Sequence, residues 1–211
     1  MFPRSTAVAL LLLLAVAAAS LPAAAAPSAA QRFVIVPAES SVIYRVNEVL
    51  FNEGNRLNTA VGTTNAVRGE IVVDRANARA SRIGTITVDI STFRTDSPRR
   101  DNAIRNRWLE SARFPNAEFT PATITGLPAA YTDGQELRLQ VTGNLKVRNV
   151  VRPNTVFQVT LKVAGNTLTA TATTEVLMTD FGFDPPSILG ILRADNEIRI
   201  EFRLTARPPA P

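Results

Sequence analysis

The sequence predicts an all-β domain, an antiparallel barrel of about eight strands with one helix inserted between two of them. The first observation is a long alternation of apolar and polar residues, as in LRLQVTGNLKV over residues 137–147, which is typical of a strand with one buried and one solvent-facing side. The second is that only the segment beginning at Pro98 has helical spacing. Since a sheet of many long strands leaves two edges exposed unless it closes, the pattern favours a barrel.

Ahead of the barrel, residues 1–30 have the organisation of a cleaved secretory signal peptide. A basic start that contains Arg4 is followed by a leucine-rich apolar run over residues 8–16 and by small residues over 17–30. The apolar run is short for a membrane span, and the chain has no cysteine for a lipoprotein anchor. We therefore expect a periplasmic or secreted protein with a β-barrel domain over residues 31–206 and a disordered tail over 207–211.

The first half of the domain contains five short candidate strands. Three of them have apolar residues at every second position, beginning at Val42, Val67 and Ile86. Two more are predicted over residues 33–36 and 118–124.

A helix is predicted from Pro98 to about Ser111, over residues 98–111. Ser97 is a suitable N-cap, and proline suits the first helical position. Ile104 and Trp108 are spaced by four residues and therefore share one face. We expect this helix to lie on the barrel as a lid or plug.

Four longer strands follow, over residues 137–147, 157–163, 168–178 and 198–204. The turn Gly165-Asn166 joins the second and third of these as a hairpin. Residues 181–192 contain Asp184-Pro185-Pro186, and proline cannot donate to a sheet ladder. This segment is predicted to be a long apolar loop.

The composition excludes several classes of function. The 211 residues include no cysteine and no histidine, so the chain has no disulfides, no histidine-based catalytic triad and no usual zinc, copper or haem ligand. The net charge of +5 comes from scattered arginines, since Lys146 and Lys162 are the only lysines. Aromatic residues are too few to alternate with these arginines as a stacking surface, so no nucleic-acid partner is expected.

Small residues at inward positions bear on whether the barrel is hollow. A barrel of about eight strands either fills itself with side chains or holds one small ligand. Gly69, Gly143, Ala170 and Ala172 are small where a filled barrel would need larger side chains, which favours a cavity. The alternative is that strands approach each other closely at these positions.

Four sequence strings, in this order, carry a resemblance to a known family. They are VGTT (61–64) with GEI (69–71); DN (101–102) with LES (109–111), FP (114–115) and EF (118–119); GNLKVRNV (143–150) followed by Pro153; and TDFGFD (179–184). Together they resemble the YceI-like family of exported polyisoprenoid-binding proteins, over residues 32–206. The resemblance implies a lipocalin-like barrel, closed at one end, with a long isoprenoid chain in a hydrophobic tunnel. It implies no enzymatic activity, no metal and no other cofactor.

The candidate ligand-binding residues are apolar side chains on the inward faces, the helix and the proline-containing loop. They are Val42, Tyr44, Val46, Ile71, Ile86, Val88, Trp108, Phe119, Phe157, Val159, Ala170, Ala172, Met178, Phe181, Phe183, Ile188 and Leu189. A tryptophan on an apolar helix face, such as Trp108, is more typical of the hydrophobic core than of the wall of a ligand site. In a hollow barrel the same side chain has both roles.

Polar residues at the start of the helix have two interpretations. Arg100 and Asp101 are candidate contacts for an anionic head group. The alternative, which we favour, is an ion-pair network of Asp101 with Arg99, Arg100 and Arg105 that fixes the helix on the barrel. Asp180, Asp184 and Asp195 lack the spacing of a calcium loop, so no metal site is predicted.

The leading hypothesis is an exported, non-enzymatic carrier of an isoprenoid or other long-chain lipid. Transient membrane contact is expected, and the oligomeric state is left open, with a dimer as one option. One alternative is a structural or interaction module of the cell envelope with a self-filled barrel. Another is an enzyme that uses hydroxyl or carboxylate groups, although the chain has no GxSxG elbow and no histidine base.

Overall fold

Fourteen strands form one antiparallel sheet between residues 30 and 209, the residues that the computed structural model describes. The strands are β1 (Gln31–Ile35), β2 (Ser41–Leu50), β3 (Arg56–Thr64), β4 (Val67–Arg68), β5 (Glu70–Val73), β6 (Arg82–Ile83), β7 (Ile86–Asp89), β8 (Asn116–Thr125), β9 (Glu136–Val147), β10 (Val150–Ala164), β11 (Thr167–Leu177), β12 (Ser187–Ile188), β13 (Leu192–Ala194) and β14 (Glu197–Arg207). The predicted signal peptide lies outside the described residues. Of the predicted tail, Arg207 is the last residue of β14, and residues 210–211 also lie outside the described residues.

Helical segments are short. The helix α1 (Pro98–Ala103) continues into a π-helical turn (Ile104–Trp108), and 3-10 turns occupy Pro37–Glu39, Phe51–Glu53, Ala78–Ala80, Ile90–Thr92 and Met178–Phe181. Within residues 30–209, no helix is long and apolar enough to cross a membrane.

The sheet curls strongly, and the pairing of its strands closes it into a barrel. The strand order is β12-β13-β2-β14-β11-β10-β9-β8-β7-β4. β1 then pairs with β14 on one side and with β5 on the other, and β5 continues β4 after the single residue Gly69. The predicted class, an antiparallel barrel with one helix, is thereby confirmed. There are more strands than predicted because bends divide some of them and because β3, β6, β12 and β13 were not anticipated.

Two glycines are required by close approach of strands rather than by an open interior. A Cβ atom on Gly69 would lie 3.1 Å from the carbonyl oxygen of Thr85, and one on Gly143 would lie 2.4 Å from the carbonyl oxygen of Thr120. The register of β8 against β9 shifts beside Gly143, between Pro121 and Thr123. For these two positions the inference of a cavity from small residues was wrong, and the alternative of close strand approach is correct.

One end of the barrel, here called the packed end, is filled by side chains. Phe33, Val163 and Leu168 are fully buried there, with Ile71 and Val159 in the same core. The hydroxyl of Tyr131, from the loop after β8, donates to the carbonyl oxygens of Gln135 (2.6 Å) and Val163 (3.0 Å) and accepts from the backbone N–H of Val163 (2.7 Å). The predicted Gly165-Asn166 hairpin closes this end between Ala164 and Thr167.

β3 was not predicted because its large apolar residues face solvent and its buried face carries small or polar residues, so the strand lacks an apolar residue at every second, inward position. Leu57 and Val61 are exposed, whereas Ala60, Gly62 and Thr64 form the buried face. The strand is nevertheless paired along its whole length with β2. Cross-strand pairing, rather than burial of its own large side chains, therefore holds it in the sheet.

The segment predicted as an apolar loop over 181–192 also contains two short strands. β12 and β13 pair with each other, and β13 pairs with β2. Pro185 and Pro186 precede β12, which is the terminal strand of the sheet path. Proline is tolerated next to such an edge, so the exclusion of a central strand was correct, whereas the prediction of one long loop over the whole segment was wrong.

The predicted helix begins as expected but ends early. The Ser97 hydroxyl accepts from the N–H of Arg100 (3.3 Å), which is the expected N-cap bond. After Ala103 the backbone hydrogen bonds span five residues instead of four. The N–H of Leu109, for example, donates to the carbonyl of Ile104 (2.8 Å). Such a π-turn widens the helix and precedes its end before Ser111.

An apolar cavity at the open end of the barrel

The other end of the barrel, here called the open end, encloses a cavity of about 440 Å³. This volume lies within the range of about 300–1,000 Å³ that is common for small-molecule sites. The wall combines the inward faces of β2, β7, β8, β9, β10, β11 and β14 with α1, its π-turn and the β12–β13 hairpin. Most of the lining side chains are aliphatic or aromatic, and the polar ones are Glu48, Ser97, Arg99, Arg100 and Glu118. The cavity is therefore suited to an apolar ligand.

The structure brings twelve of the seventeen predicted ligand-binding residues to this wall. They are Val42, Tyr44, Val46, Ile86, Val88, Trp108, Phe119, Phe157, Met178, Phe181, Phe183 and Ile188. Their position on the wall agrees with the prediction, and their role in ligand binding stays a prediction.

The other five predicted residues do not line the cavity. Ile71 and Val159 are buried in the hydrophobic core, where they pack against other side chains and do not reach the cavity. Ala170 and Ala172 are half-buried on β11 and pack against the core. Leu189 is 100% exposed at the turn between β12 and β13, so the apolar character of that loop was misleading for this residue.

Several lining residues were not among the predicted ligand contacts. Leu145, Val176, Ile198, Ile200 and Phe202 are among them, and their inward positions in the alternating strands were a signal that could have found them. Arg99, which the sequence analysis placed in the polar cluster at the helix start, also lines the cavity, as do Phe93 and Glu48, which no local pattern marks. Their placement depends on how α1 and β2 meet in the folded chain.

Tyr44 has the most unusual polar group in the wall. Its ring lies across Gly62 on β3, where a Cβ atom would be 2.2 Å from Cε1 of the tyrosine. Phe93 packs edge-on against it, with ring centroids 5.1 Å apart. The hydroxyl is buried and has no hydrogen-bond partner among residues 30–209. Burial, followed by the charge of Asp101, raises the pKa of Tyr44 far above its usual range, so the hydroxyl stays protonated.

A charged network lies beside Tyr44 where α1 meets β2. The Glu48 carboxylate is almost fully buried and accepts from Arg100 (3.0 Å) and from the Asn58 amide (2.7 Å). Arg100 also pairs with Asp96. Paired in this way, the buried carboxylate is compensated and the helix is fixed to β2.

Asp101 serves the helix rather than the cavity. It is buried and accepts from the backbone N–H of Thr95 (2.8 Å) and from its hydroxyl (2.7 Å). Of the two candidate head-group contacts, only Arg100 lines the cavity, and its guanidinium is already paired. Arg99 also lines the cavity and has no ion pair among residues 30–209. The favoured prediction, an ion-pair network of Asp101 with Arg99, Arg100 and Arg105, was wrong in its partners. Among residues 30–209 Asp101 bonds to Thr95, and Arg100 holds the helix through Glu48 and Asp96.

The helix and the proline-containing segment meet across the opening. The indole N–H of Trp108 donates to the carbonyl of Asp184 (3.3 Å), and Arg148 donates to the carbonyl of Trp108 (3.2 Å). The Arg148 guanidinium lies over the ring of Phe183, 5.2 Å from its centroid. A few polar contacts thus join the two segments that cover the cavity.

The aspartates of the TDFGFD string do not assemble a metal site. Asp180 forms an ion pair with Arg152 (2.7 Å). Within residues 30–209, no group of three or more potential metal ligands comes together.

Comparison with known proteins decides the family. The model of the YceI-like domain matches residues 33–206. The chain belongs to the YceI-like family. No curated protein matches it.

Solved structures share the YceI-like fold at low sequence identity. A polyisoprenoid-binding domain from Saccharophagus degradans, implicated in plant cell wall breakdown, is 12% identical with a TM-score of 0.61, covering 85% of this chain and 99% of its own. BcnA from Burkholderia cenocepacia is 20% identical with a TM-score of 0.57, covering 81% and 98%. The Campylobacter jejuni YceI protein is 16% identical with a TM-score of 0.56, covering 71% and 85%. At these identities the likeness establishes the fold.

Proposed function

We propose that this YceI-like protein is a non-enzymatic carrier that holds a long apolar chain, a polyisoprenoid, in the cavity at the open end. The observation that carries the proposal is the apolar wall of a 440 Å³ cavity inside an otherwise packed barrel. The Saccharophagus degradans domain of the same fold is described as polyisoprenoid-binding, which supports this ligand class.

The energetics of such a ligand suit the wall. Each CH₂ group removed from water contributes about 0.8 kcal/mol, so one isoprene unit contributes on the order of 4 kcal/mol. Immobilising the ligand and the opening segments offsets part of this gain. Affinity then comes from the apolar chain and selectivity from the few polar groups of the wall.

We also propose that the protein acts outside the cytoplasm, in the periplasm or the medium. The basis is the composition of residues 1–30. N-terminal sequencing of protein recovered from the periplasmic fraction is expected to give a chain that starts within residues 26–31. Recovery of the full chain from the cytoplasm would contradict this proposal.

Transfer of a lipid requires contact with a membrane, and the open end carries a suitable rim. This apolar rim consists of exposed side chains on two neighbouring hairpins, Phe51, Leu57, Ile188, Leu189 and Ile191. The hairpins are joined by a hydrogen bond from the N–H of Phe51 to the carbonyl of Ile191 (2.8 Å). Apolar side chains of this kind insert at the lipid interface. Co-sedimentation with phospholipid vesicles is expected, and its absence would contradict the membrane contact.

A cavity-filling substitution tests the proposed ligand site. Ala103 lines the cavity from the end of α1, whereas Ala112 is exposed in the turn that follows. Ala103→Phe places a ring in the space that the ligand needs, and we expect about tenfold weaker binding of a prenyl alcohol, followed by quenching of Trp108 fluorescence. Ala112→Phe serves as the matched control and should bind like the unaltered protein. Equal affinity in both variants would place the ligand elsewhere.

A further inference from the structure

Positive charge among residues 30–209 is concentrated beside the open end. All but one of the 23 basic residues and all 18 acidic residues lie in this part of the chain, which gives it a net charge of +4. Residues 94–113, which form α1, its π-turn and the loops on either side, contain six arginines and three carboxylates, a net charge of +3. Most of the net charge therefore lies on the segment that covers the cavity.

The three carboxylates of this segment already have partners. Asp101 is buried and accepts from the backbone N–H and the hydroxyl of Thr95. Asp96 and Glu110 each form an ion pair with an arginine, Arg100 and Arg148 respectively. None of these carboxylates pairs with the other arginines of the segment, so the charge of those arginines is not neutralised locally.

Three exposed arginines at the opening, here called the open-end arginines, have no ion pair among residues 30–209. They are Arg99, Arg107 and Arg193. Arg99 lines the cavity, and the guanidinium of Arg107 lies over the ring of the lining residue Trp108, 5.3 Å from its centroid. Two exposed carboxylates in the neighbouring segments, Asp184 and Asp195, also lack ion pairs there and offset only part of the positive charge.

The open-end arginines flank the apolar rim. Glu48 links α1 to this rim, because it accepts from Arg100 of the helix and from Asn58, the neighbour of the rim residue Leu57. Arg193 lies on the β12–β13 hairpin, which carries three other rim residues. Basic and apolar side chains thus surround one opening. This combination is typical of proteins that bind anionic membrane surfaces.

The packed end lacks such a surface. Its loops, over residues 74–81 and 126–135, expose none of the large apolar side chains that are exposed elsewhere among residues 30–209. Arginines there have no apolar neighbours that could insert into a bilayer. A membrane that attracts the protein by charge therefore holds it by the open end.

We propose that the open end is a docking surface for anionic phospholipid, with the open-end arginines on the head groups and the apolar rim inserted between them. This inference rests on the membrane contact of the proposed carrier and adds the class of lipid to it. Guanidinium groups bind phosphate oxygens through charged, paired hydrogen bonds. Docking in this orientation brings the mouth of the cavity to the bilayer, where an isoprenoid chain is taken up or released.

Two variants that remove the same charge from opposite ends test the docking surface. The open-end variant combines Arg99→Gln, Arg107→Gln and Arg193→Gln. The matched control alters three exposed arginines toward the packed end that also lack ion pairs, Arg79→Gln, Arg82→Gln and Arg138→Gln. Each protein is sedimented with vesicles of phosphatidylcholine alone and with vesicles of phosphatidylcholine and phosphatidylglycerol in equal parts.

We expect the unaltered protein and the control to prefer the vesicles that contain phosphatidylglycerol. Each basic side chain at an anionic surface strengthens binding about fivefold, so the open-end variant should bind these vesicles about 100-fold more weakly. Molar sodium chloride should remove the preference, because salt screens exposed charges. Leu189→Asn, at a fully exposed rim position, should weaken binding to both kinds of vesicle by a similar factor.

Other outcomes overturn separate statements. If the unaltered protein binds both kinds of vesicle equally, or if the control loses as much affinity as the open-end variant, the open-end arginines do not form the docking surface. If the unaltered protein binds a prenyl alcohol in solution but sediments with neither vesicle, the membrane inference fails and the carrier function stands. Folded protein that takes up no prenyl alcohol overturns the proposed function instead. Circular dichroism and thermal melting establish that each variant is folded.

Discussion

The packed end and the open end are built from the same strands and similar side chains, yet one is filled and the other is hollow. At the packed end Phe33, Val163 and Leu168 are fully buried. At the open end Val42, Phe157 and Phe202 also point inward, but a cavity of about 440 Å³ remains between them and the segments that cover it. Inward alternation thus produces a barrel, and the covering segments decide how well each end is filled.

The covering segments differ in how they are held. At the packed end the loop carrying Tyr131 enters the core and bonds to the backbone of β10. At the open end the π-turn after α1 is joined to the segment around Asp184 by the 3.3 Å hydrogen bond from Trp108. Segments held by few buried contacts open locally at low free-energy cost. The open end is therefore the expected route for a ligand.

Truncation of one leucine at each end should give the largest loss in the free energy of unfolding, with the greater loss at the packed end. Leu168 is fully buried at the packed end, whereas Leu145 has one side toward the cavity. We expect Leu168→Ala to lower the free energy of unfolding by about 3–5 kcal/mol, because it opens a new void in close packing. Leu145→Ala should cost about 1–2 kcal/mol less, since part of its surroundings is already empty. Denaturant unfolding measures both values, and equal losses would contradict the contrast between the two ends.

Removal of one tyrosine hydroxyl at each end should give smaller changes in the free energy of unfolding. Tyr131→Phe leaves the buried N–H of Val163 without its acceptor, and we expect a loss of about 1–3 kcal/mol of stability. Tyr44→Phe removes a buried hydroxyl without a partner among residues 30–209, so it should not destabilise the protein and should raise the free energy of unfolding by up to about 1–3 kcal/mol. A clear destabilisation by Tyr44→Phe would show that its hydroxyl has a structural role.

A surface pair outside both ends should give the smallest effect, and one that depends on pH. Arg45 on β2 pairs with Glu201 on β14 (2.7 Å), and this hydrogen bond lowers the pKa of Glu201. Because the folded pKa lies below the unfolded one, the stabilisation is present above the unfolded pKa and is lost as the pH falls through the folded pKa. Arg45→Met should therefore differ slightly in stability from the unaltered protein at neutral pH and not at all in acid. A difference that persists in acid would assign the effect to packing of the arginine stem.

The sequence predicted well where one face of a strand is uniformly apolar. The long strands β9, β10, β11 and β14 and the Gly165-Asn166 turn follow from local patterns, and they supply much of the cavity wall. β3 was missed because its large apolar residues Leu57 and Val61 face outward, so pairing with β2 overrides the pattern.

The polar side of the site depends on tertiary contacts that no local pattern encodes. In the sequence, Glu48 has nothing to distinguish it from the other polar residues of β2, yet in the structure it is buried and paired with Arg100. Tyr44 was expected in the wall, but its missing hydrogen-bond partner follows only from the positions of Asp101 and Phe93 around it. Gly69 and Gly143 suggested an empty interior and instead mark close approach of strands.

Native mass spectrometry of the protein purified from its own host tests the central claim most directly. The hollow open end predicts a fraction of molecules that carry one lipid, released on extraction as a polyisoprenoid. Protein without bound lipid, which after delipidation also takes up neither an isoprenoid alcohol nor the corresponding hydrocarbon, would contradict the claim that the cavity holds a polyisoprenoid.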